Sequence, residues 1–284
     1  MKKLNLILSA LSIALLLSGS NCFAQSTVPN AIVYQCPMKC EGEKTYDKPG
    51  KCPICGMNLA KVETKSNSEP GLTEVTISGA MMNVMRKGEL FGTINLDTIS
   101  NREHLYGLGP IEYLKGEILI ADGKSYVTKV AANRSIAIEE TYKVKAPFFV
   151  SENVGKWNEI PLPDSIQSIP QLESFLDKST KNHSRPFAFR MTAIIDNCEI
   201  HIVNLPTGTK VHSPEEAQKN RESYSLENES AELIGFFSTK HQGIFTHHDR
   251  FVHIHLITTD RKKMGHLENM TIKKGTAKLY LPFE

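Results

Sequence analysis

The chain has 284 residues, with 33 Lys+Arg against 31 Asp+Glu, a formal charge of +2 and 40% hydrophobic residues. Both signs are interspersed, which excludes the clustered basic stripe of a nucleic-acid surface, while the apolar content suits packed cores of ordinary size. Past residue 25 no apolar run is long enough to span a bilayer.

Met1-Lys2-Lys3 ahead of the short apolar run Leu4 to Leu17 has the form of a secretory signal. Ala24 supplies the small residue at a cleavage point, so residues 1–24 are expected to be removed and the mature chain to begin at Gln25. The protein is therefore expected to be exported, periplasmic or secreted. Cys22, after Leu-Ser-Gly-Ser-Asn, offers lipid anchoring as an alternative, which Asn21 disfavours.

Of six cysteines, four crowd into Cys36-Pro-Met-Lys-Cys40 and Cys52-Pro-Ile-Cys55-Gly-Met. Four thiolates spaced C-x3-C and C-x2-C, on turns carrying Pro or Gly, suit one tetrahedral ion. An oxidising compartment leaves disulfides as the alternative, and the spacing favours metal. The segment from Tyr34-Gln-Cys36-Pro-Met38 through Pro49-Gly50-Lys-Cys52-Pro-Ile-Cys55-Gly56-Met57 resembles a small heavy-metal-binding domain over residues 33–62. That family usually carries His-Pro after Cys-Pro-Met. Here Lys39-Cys40 stands instead, so Cys40 takes the place of an imidazole, and the soft ligand set admits Zn2+ or Cu+.

Residues 63–74 are polar and lack apolar periodicity, reading as a linker with a domain boundary near Pro70. From Val75 onward no internal repeat is visible. Apolar spacing predicts a helix over Ile77 to Lys87 and a helix start at Ser100 to Leu105. Strands are predicted at Glu117 to Ala121, Lys124 to Val130 and Tyr142 to Val150, followed by a helix at Gln171 to Lys178 behind Pro170. Phe187 to Ile195, Glu199 to Asn204, Ala231 to Ser238, Phe251 to Thr258 and Ala277 to Leu281 complete the predicted strands. Many strands with few helices indicate an α+β fold, mainly β, rather than a doubly wound parallel sheet.

The stretch from His253 to His266 carries the chemistry. Residues two apart on a strand share a face, so His253 and His255 offer their imidazoles together while Ile254 and Leu256 face the other way. The polar Thr-Thr-Asp-Arg-Lys-Lys-Met-Gly segment predicts a hairpin that returns His266 beside them. Three protein ligands leave coordination positions open, the arrangement of a catalytic metal. Taken alone, a His-x-His pair reads equally as a surface feature or a hydrogen-bonded core pair.

Other residues have plainer readings. His247 and His248 lie in a polar turn and are expected to be solvated, with the site mouth as the alternative. Asp260 either orients a ligand imidazole or caps its turn. Met81, Met82 and Met85, at helical spacing, are expected in a core rather than on a copper path. Cys198 is expected as a buried strand residue.

Gly109-Pro-Ile-Glu-Tyr-Leu114-Lys-Gly116-Glu117-Ile-Leu-Ile-Ala-Asp122-Gly123, Ala146-Pro147-Phe148-Phe149, Gly235-Phe236-Phe237-Ser238 and the His253/His255/His266 spacing together resemble the alpha-acetolactate decarboxylase family over residues 75–284. The resemblance implies a mixed-sheet domain, a homodimer and a zinc ion on His253, His255 and His266, with the Glu117 carboxylate in the same site. Three departures stand out. The family's substrate-binding arginine aligns with His201, its threonine with Pro110, and its C-terminal glutamate has only Glu284 as a counterpart. Glu117 is assigned the role of proton shuttle or additional ligand, its plain alternative being an exposed glutamate at a strand start. His201 is assigned the substrate carboxylate, its plain alternative being an edge-strand histidine.

The activity so implied is zinc-dependent decarboxylation of 2-acetolactate to acetoin and CO2, in which the metal stabilises an enediolate. A second reading is an exported metal-binding or metal-delivery protein that keeps the scaffold and has lost its grip on substrate.

Overall fold

The computed structural model describes residues 32–35, 44–54, 56, 58–63 and 74–283. The expected signal, Cys36, Cys40, Cys55, residues 64–73 of the linker and Glu284 lie outside the described residues. The chain divides into two compact units, Met1–Asn67 and Ser68–Glu284.

In the first unit, β1 (Ile32–Gln35) pairs antiparallel with β2 (Thr45–Tyr46) on one side and β3 (Ala60–Glu63) on the other. Lys51 bridges Asn58, and Gly56 N donates to the Cys52 carbonyl at 2.8 Å, which closes a tight turn. Gly56 sits at φ 72°, a left-handed conformation that glycine adopts without a Cβ penalty. Cys52 is buried.

The second unit opens with β4 (Thr76–Gly79), α1 (Met81–Lys87), β5 (Ile94–Asn95) and β6 (Leu105–Pro110). Next come β7 (Glu117–Ala121), β8 (Lys124–Val130), β9 (Ile136–Glu140), β10 (Lys145–Ala146), β11 (Phe148–Asn153) and β12 (Trp157–Ile160). The remainder is α2 (Ile169–Ser179), β13 (Phe187–Ile202), α3 (Pro214–Gln218), β14 (Glu222–Phe237), β15 (Val252–Thr258), β16 (Met264–Ile272) and β17 (Lys278–Pro282). One six-stranded sheet has the order β4-β11-β6-β7-β8-β9, a second has β12-β17-β13-β14-β15-β16, and β10 pairs with β5. In the second sheet β16 also pairs with β13, so β13, β14, β15 and β16 close on themselves. Every named strand pair is antiparallel, where the resemblance implies a mixed sheet.

Alternation along the strands divides the interior into two layers. Leu108, Leu119 and Val150 of the first sheet pack against Ile234, Phe236 and Ile257 of the second. On the opposite face, Leu233, Ile254 and Leu256 pack with Leu172 and Leu176 of α2, whose first turn holds Pro170 and whose Gln171 side chain accepts from Ser168 N. His253 and His255, out of phase with Ile254 and Leu256, therefore point between the two sheets.

Several predicted elements are redrawn. The single helix over Ile77 to Lys87 is strand β4 followed by α1. The break falls at Gly79, whose φ of 68° and a backbone so close that a Cβ would meet Pro147 O at 2.1 Å leave room for glycine alone. No helix starts at Ser100; that stretch is a turn, and Leu105 opens the wholly buried strand β6. Pro147, which has no N–H, splits the Tyr142 to Val150 strand into β10 and β11. Phe187 to Ile195 and Glu199 to Asn204 are one sixteen-residue strand, because the polar Asp196-Asn197 pair makes a bulge instead of a turn. The strand predicted from Ala231 begins at Glu222, where Arg134 of the β8–β9 connection holds its carboxylate. Among the methionines, Met81 joins a core and Met85 packs against it, but Met82 is exposed.

Gly235, near the C-terminal end of β14, is fixed by packing. A Cβ there would lie 2.2 Å from the ring of the fully buried Phe189 on β13. Gly235→Ala is expected to lower unfolding free energy by about 1–3 kcal/mol, the usual cost of overpacking a core, read as a lower denaturant midpoint at constant m-value.

Candidate metal centre

The register of the closed strands aligns the histidines. His255 of β15 lies opposite His266 of β16, and His266 in turn lies opposite His201 of β13. Phe236 of β14 is the partner of His253. The β15–β16 turn is stapled by Asp260, whose Oδ1 accepts from Thr258 Oγ1 at 2.7 Å and from Lys262 N at 3.1 Å. Asp260 thus caps its turn and orients no imidazole.

The ring nitrogens offered by His253, His255 and His266 lie within 4.8 Å of one another, and all three side chains are buried. His255 Nδ1 bonds the Ile118 carbonyl of β7 at 2.9 Å; a carbonyl only accepts, so Nδ1 carries the proton and Nε2 presents a lone pair. His255 Nε2 and His253 Nδ1 are buried with no hydrogen-bond partner. Orphaned buried nitrogens are costly unless something binds them, and the simplest occupant for converging imidazoles is a cation. Burial pushes all three pKa values down, His255 to about 3, with the neighbouring histidines adding repulsion. The rings are thus neutral near pH 7, the form that ligates metal.

Glu117 opens β7 across the cleft. Far from being an exposed strand-start glutamate, it is 3% exposed, with Oε1 accepting from Val203 N at 3.1 Å and Oε2 lying 3.7 Å from His255 Nε2. Burial raises its pKa to about 8, the Val203 N–H opposes this, and the Glu268 charge adds to it. Pro110, its cross-strand partner, lines the same cleft.

His201 also differs from its plain reading. It lies on β13 between β14 and β16, not at an edge, and it is buried. Its Nδ1 stands 2.6 Å from Glu268 Oε1, and Arg221 Nη1 reaches the same oxygen at 2.7 Å. The His201 bond above all, with Arg221 behind it, pulls the Glu268 pKa down to about 2 against the effect of burial. A bulge falls at Glu268. Glu199 pairs with Asn269 and Ile200 with Leu267, so Glu268 is the extra residue between them. His247, half-buried with its ring 5.5 Å from His266, belongs to the site mouth, whereas His248 is exposed.

The family model described as alpha-acetolactate decarboxylase matches residues 78–281. The chain belongs to the alpha-acetolactate decarboxylase family. Residues 33–62 match the heavy metal binding domain model ahead of it. An alpha-acetolactate decarboxylase of Brevibacillus brevis is 25% identical over 214 residues, covering 74% of this chain and 72% of that protein. One from Methanosarcina mazei is 24% identical over 176 residues, covering 61% and 58%. The crystal structure of the Bacillus subtilis strain 168 decarboxylase superposes with a TM-score of 0.57 at 17% identity, over 74% of this chain and 85% of that one. A Staphylococcus aureus protein of unknown function, described as similar to alpha-acetolactate decarboxylase, also reaches 0.57 at 15% identity, over 74% and 86%. At such identities the likeness shows the decarboxylase fold.

Within this decarboxylase domain, Glu117, His201, His247, His253 and His266 line one narrow cleft. Beside it, a cavity of about 270 Å³ is walled by Arg221, His247, Asp249, Arg250, His266 and Glu268. Another, of about 490 Å³, is walled by Met81, Met82, Met85, His247 and His248. Glu268, Arg221 and His247 went unassigned or misassigned from sequence. The His266-x-Glu268 alternation was the one available signal for Glu268, and Arg221 left none. Cys198 is a buried strand residue whose thiol burial pushes up to about 11.

Proposed function

We propose that the large domain is a metal-dependent decarboxylase acting on 2-acetolactate or a closely related 2-hydroxy-3-keto acid, with His253, His255 and His266 holding the ion, Zn2+ being the best match. The observation that carries this is the set of three buried imidazoles whose ring nitrogens converge opposite Glu117, with His253 Nδ1 and His255 Nε2 left without a hydrogen-bond partner. An ion held there supplies Lewis-acid stabilisation for negative charge growing on substrate oxygens, worth several kcal/mol.

The remaining work falls to the chain. Breaking the bond to the carboxylate releases CO2 and leaves its electron pair on the hydroxyl-bearing carbon, whence it delocalises into the adjacent ketone. One proton must then return to that carbon to give acetoin. Glu117 is placed to deliver it: a carboxyl group held by the Val203 N–H, inside a cleft walled by Phe148 and Leu114 that limits water. His201 lines that cleft, and Arg221, paired with Glu268, stands in the cavity beside it; these are the groups proposed to receive a substrate carboxylate. In front of the domain, Cys36, Cys40, Cys52 and Cys55 are proposed to hold Zn2+ or Cu+, in a protein working outside the cytoplasm.

The test is direct. Zinc-loaded and metal-free chains are mixed with racemic acetolactate, and acetoin is followed above spontaneous breakdown. Zinc-dependent excess acetoin is expected; equal traces would overturn the enzyme reading in favour of metal delivery.

A further inference from the structure

We propose that His201, His266 and Glu268 form a second, outer position for a divalent cation, from which the ion passes to His253 and His255 through the shared imidazole of His266. This rests on the reading that the inner trio holds an ion.

The donor atoms of His201, His266 and Glu268 lie within 4.8 Å of one another. Two imidazoles and a carboxylate are a complete ligand set for a borderline dication, with room for water. Strand register explains why both sets exist. A row of imidazoles runs from His255 through His266 to His201 across β15, β16 and β13, so His266 belongs to either end. Glu268, two residues past His266 and at a bulge in the β13–β16 pairing, adds a carboxylate at the outer end of that row, its Oε1 2.6 Å from His201 Nδ1.

Access runs the same way. His266 lines both the inner cleft and the neighbouring cavity, and Glu268, with 30% of its side chain exposed, lines that cavity. A cation entering through that cavity meets Glu268 before it meets His253 or His255. The Glu268 ion pair is replaceable. Arg221 is one-third exposed, so its ion pair is screened and weak, and it keeps Glu268 aimed until a dication competes for the same oxygen. Two dications sharing one imidazole would repel strongly at this spacing, so the positions hold one ion in turn.

Cobalt(II), read by its visible absorption, tests this on full-length metal-free chains. His266→Ala, which lacks both positions, gives the uptake of the cysteine-rich segment alone. His253→Ala is expected to bind one equivalent more than this blank, and His253→Ala combined with Glu268→Gln to fall back to it. In the wild-type background, Glu268→Gln is expected to slow uptake by about tenfold or more at unchanged final occupancy, the scale on which local charge steers a cation. Glutamine keeps the shape and an acceptor for Arg221, and matched unfolding midpoints confirm intact folds. The outer position is overturned if His253→Ala binds no more than His266→Ala, or if its extra equivalent ignores Glu268→Gln. An unchanged uptake rate overturns the transfer route. Failure of the inner trio looks different: Glu268→Gln alone, with His253 intact, then falls back to the His266→Ala blank.

Discussion

His253→Ala is expected to strip the large domain of the ion that survives desalting and to lower acetoin formation by about 1,000-fold or more, since several kcal/mol of transition-state stabilisation correspond to that factor. The reason lies in the packing. His253 is buried on β15 with an unpartnered Nδ1, and no other described side chain on that face of the strand replaces it beside His255. Two imidazoles and water grip a dication far less tightly than three. Cys52→Ala is expected to leave this ion in place, because Cys52 belongs to the separate unit Met1–Asn67. Metal per chain by atomic spectroscopy, beside an acetoin assay, reads both. Loss of every ion from either substitution would mean that the chain has one metal system rather than two.

What sequence revealed of this site followed short-range rules. The period of two on β15 and the turn residues before His266 are local signals, and both put imidazoles together where the structure has them. Glu117 to Ala121 and Lys124 to Val130 were legible for the same reason: β-rich runs on either side of an Asp-Gly turn. What sequence hid depends on distant partners. Nothing near Ile77 announces that Phe148 to Ser151 will pair with it and draw it out of a helix. The polar Asp196-Asn197 pair has the composition of a turn, and only the long ladders to β14 and β16 carry the strand through it. Glu268 was missed for a related reason. Its spacing puts it on the His266 face, but that His201 stands across from them on β13 is a property of paired strands and not of either alone. For His201, the plain alternative of an edge-strand histidine fails because β14 and β16 flank it, which its neighbours in sequence do not show.

Glu117→Gln is expected to lower kcat by about 100- to 10,000-fold, the range for removing a positioned general acid, with KM and bound metal little changed. Glutamine is the informative choice. Alanine would leave the Val203 N–H buried without its acceptor, at a cost of about 1–3 kcal/mol that would confuse folding with chemistry. Glutamine keeps an oxygen for that bond and the volume beneath Phe148, and removes only the exchangeable acidic proton. The geometry also allows a sharper division of roles. Glu117 Oε2 lies 3.7 Å from the nitrogen that His255 turns toward the ion, so the carboxylate stands at the boundary between ligand and proton carrier. If metal content falls together with kcat, Glu117 is chiefly a fourth ligand. If metal stays and kcat falls, it carries the proton. A chain with kcat within threefold of wild type would remove Glu117 from the reaction altogether and leave its burial opposite three histidines without a chemical purpose.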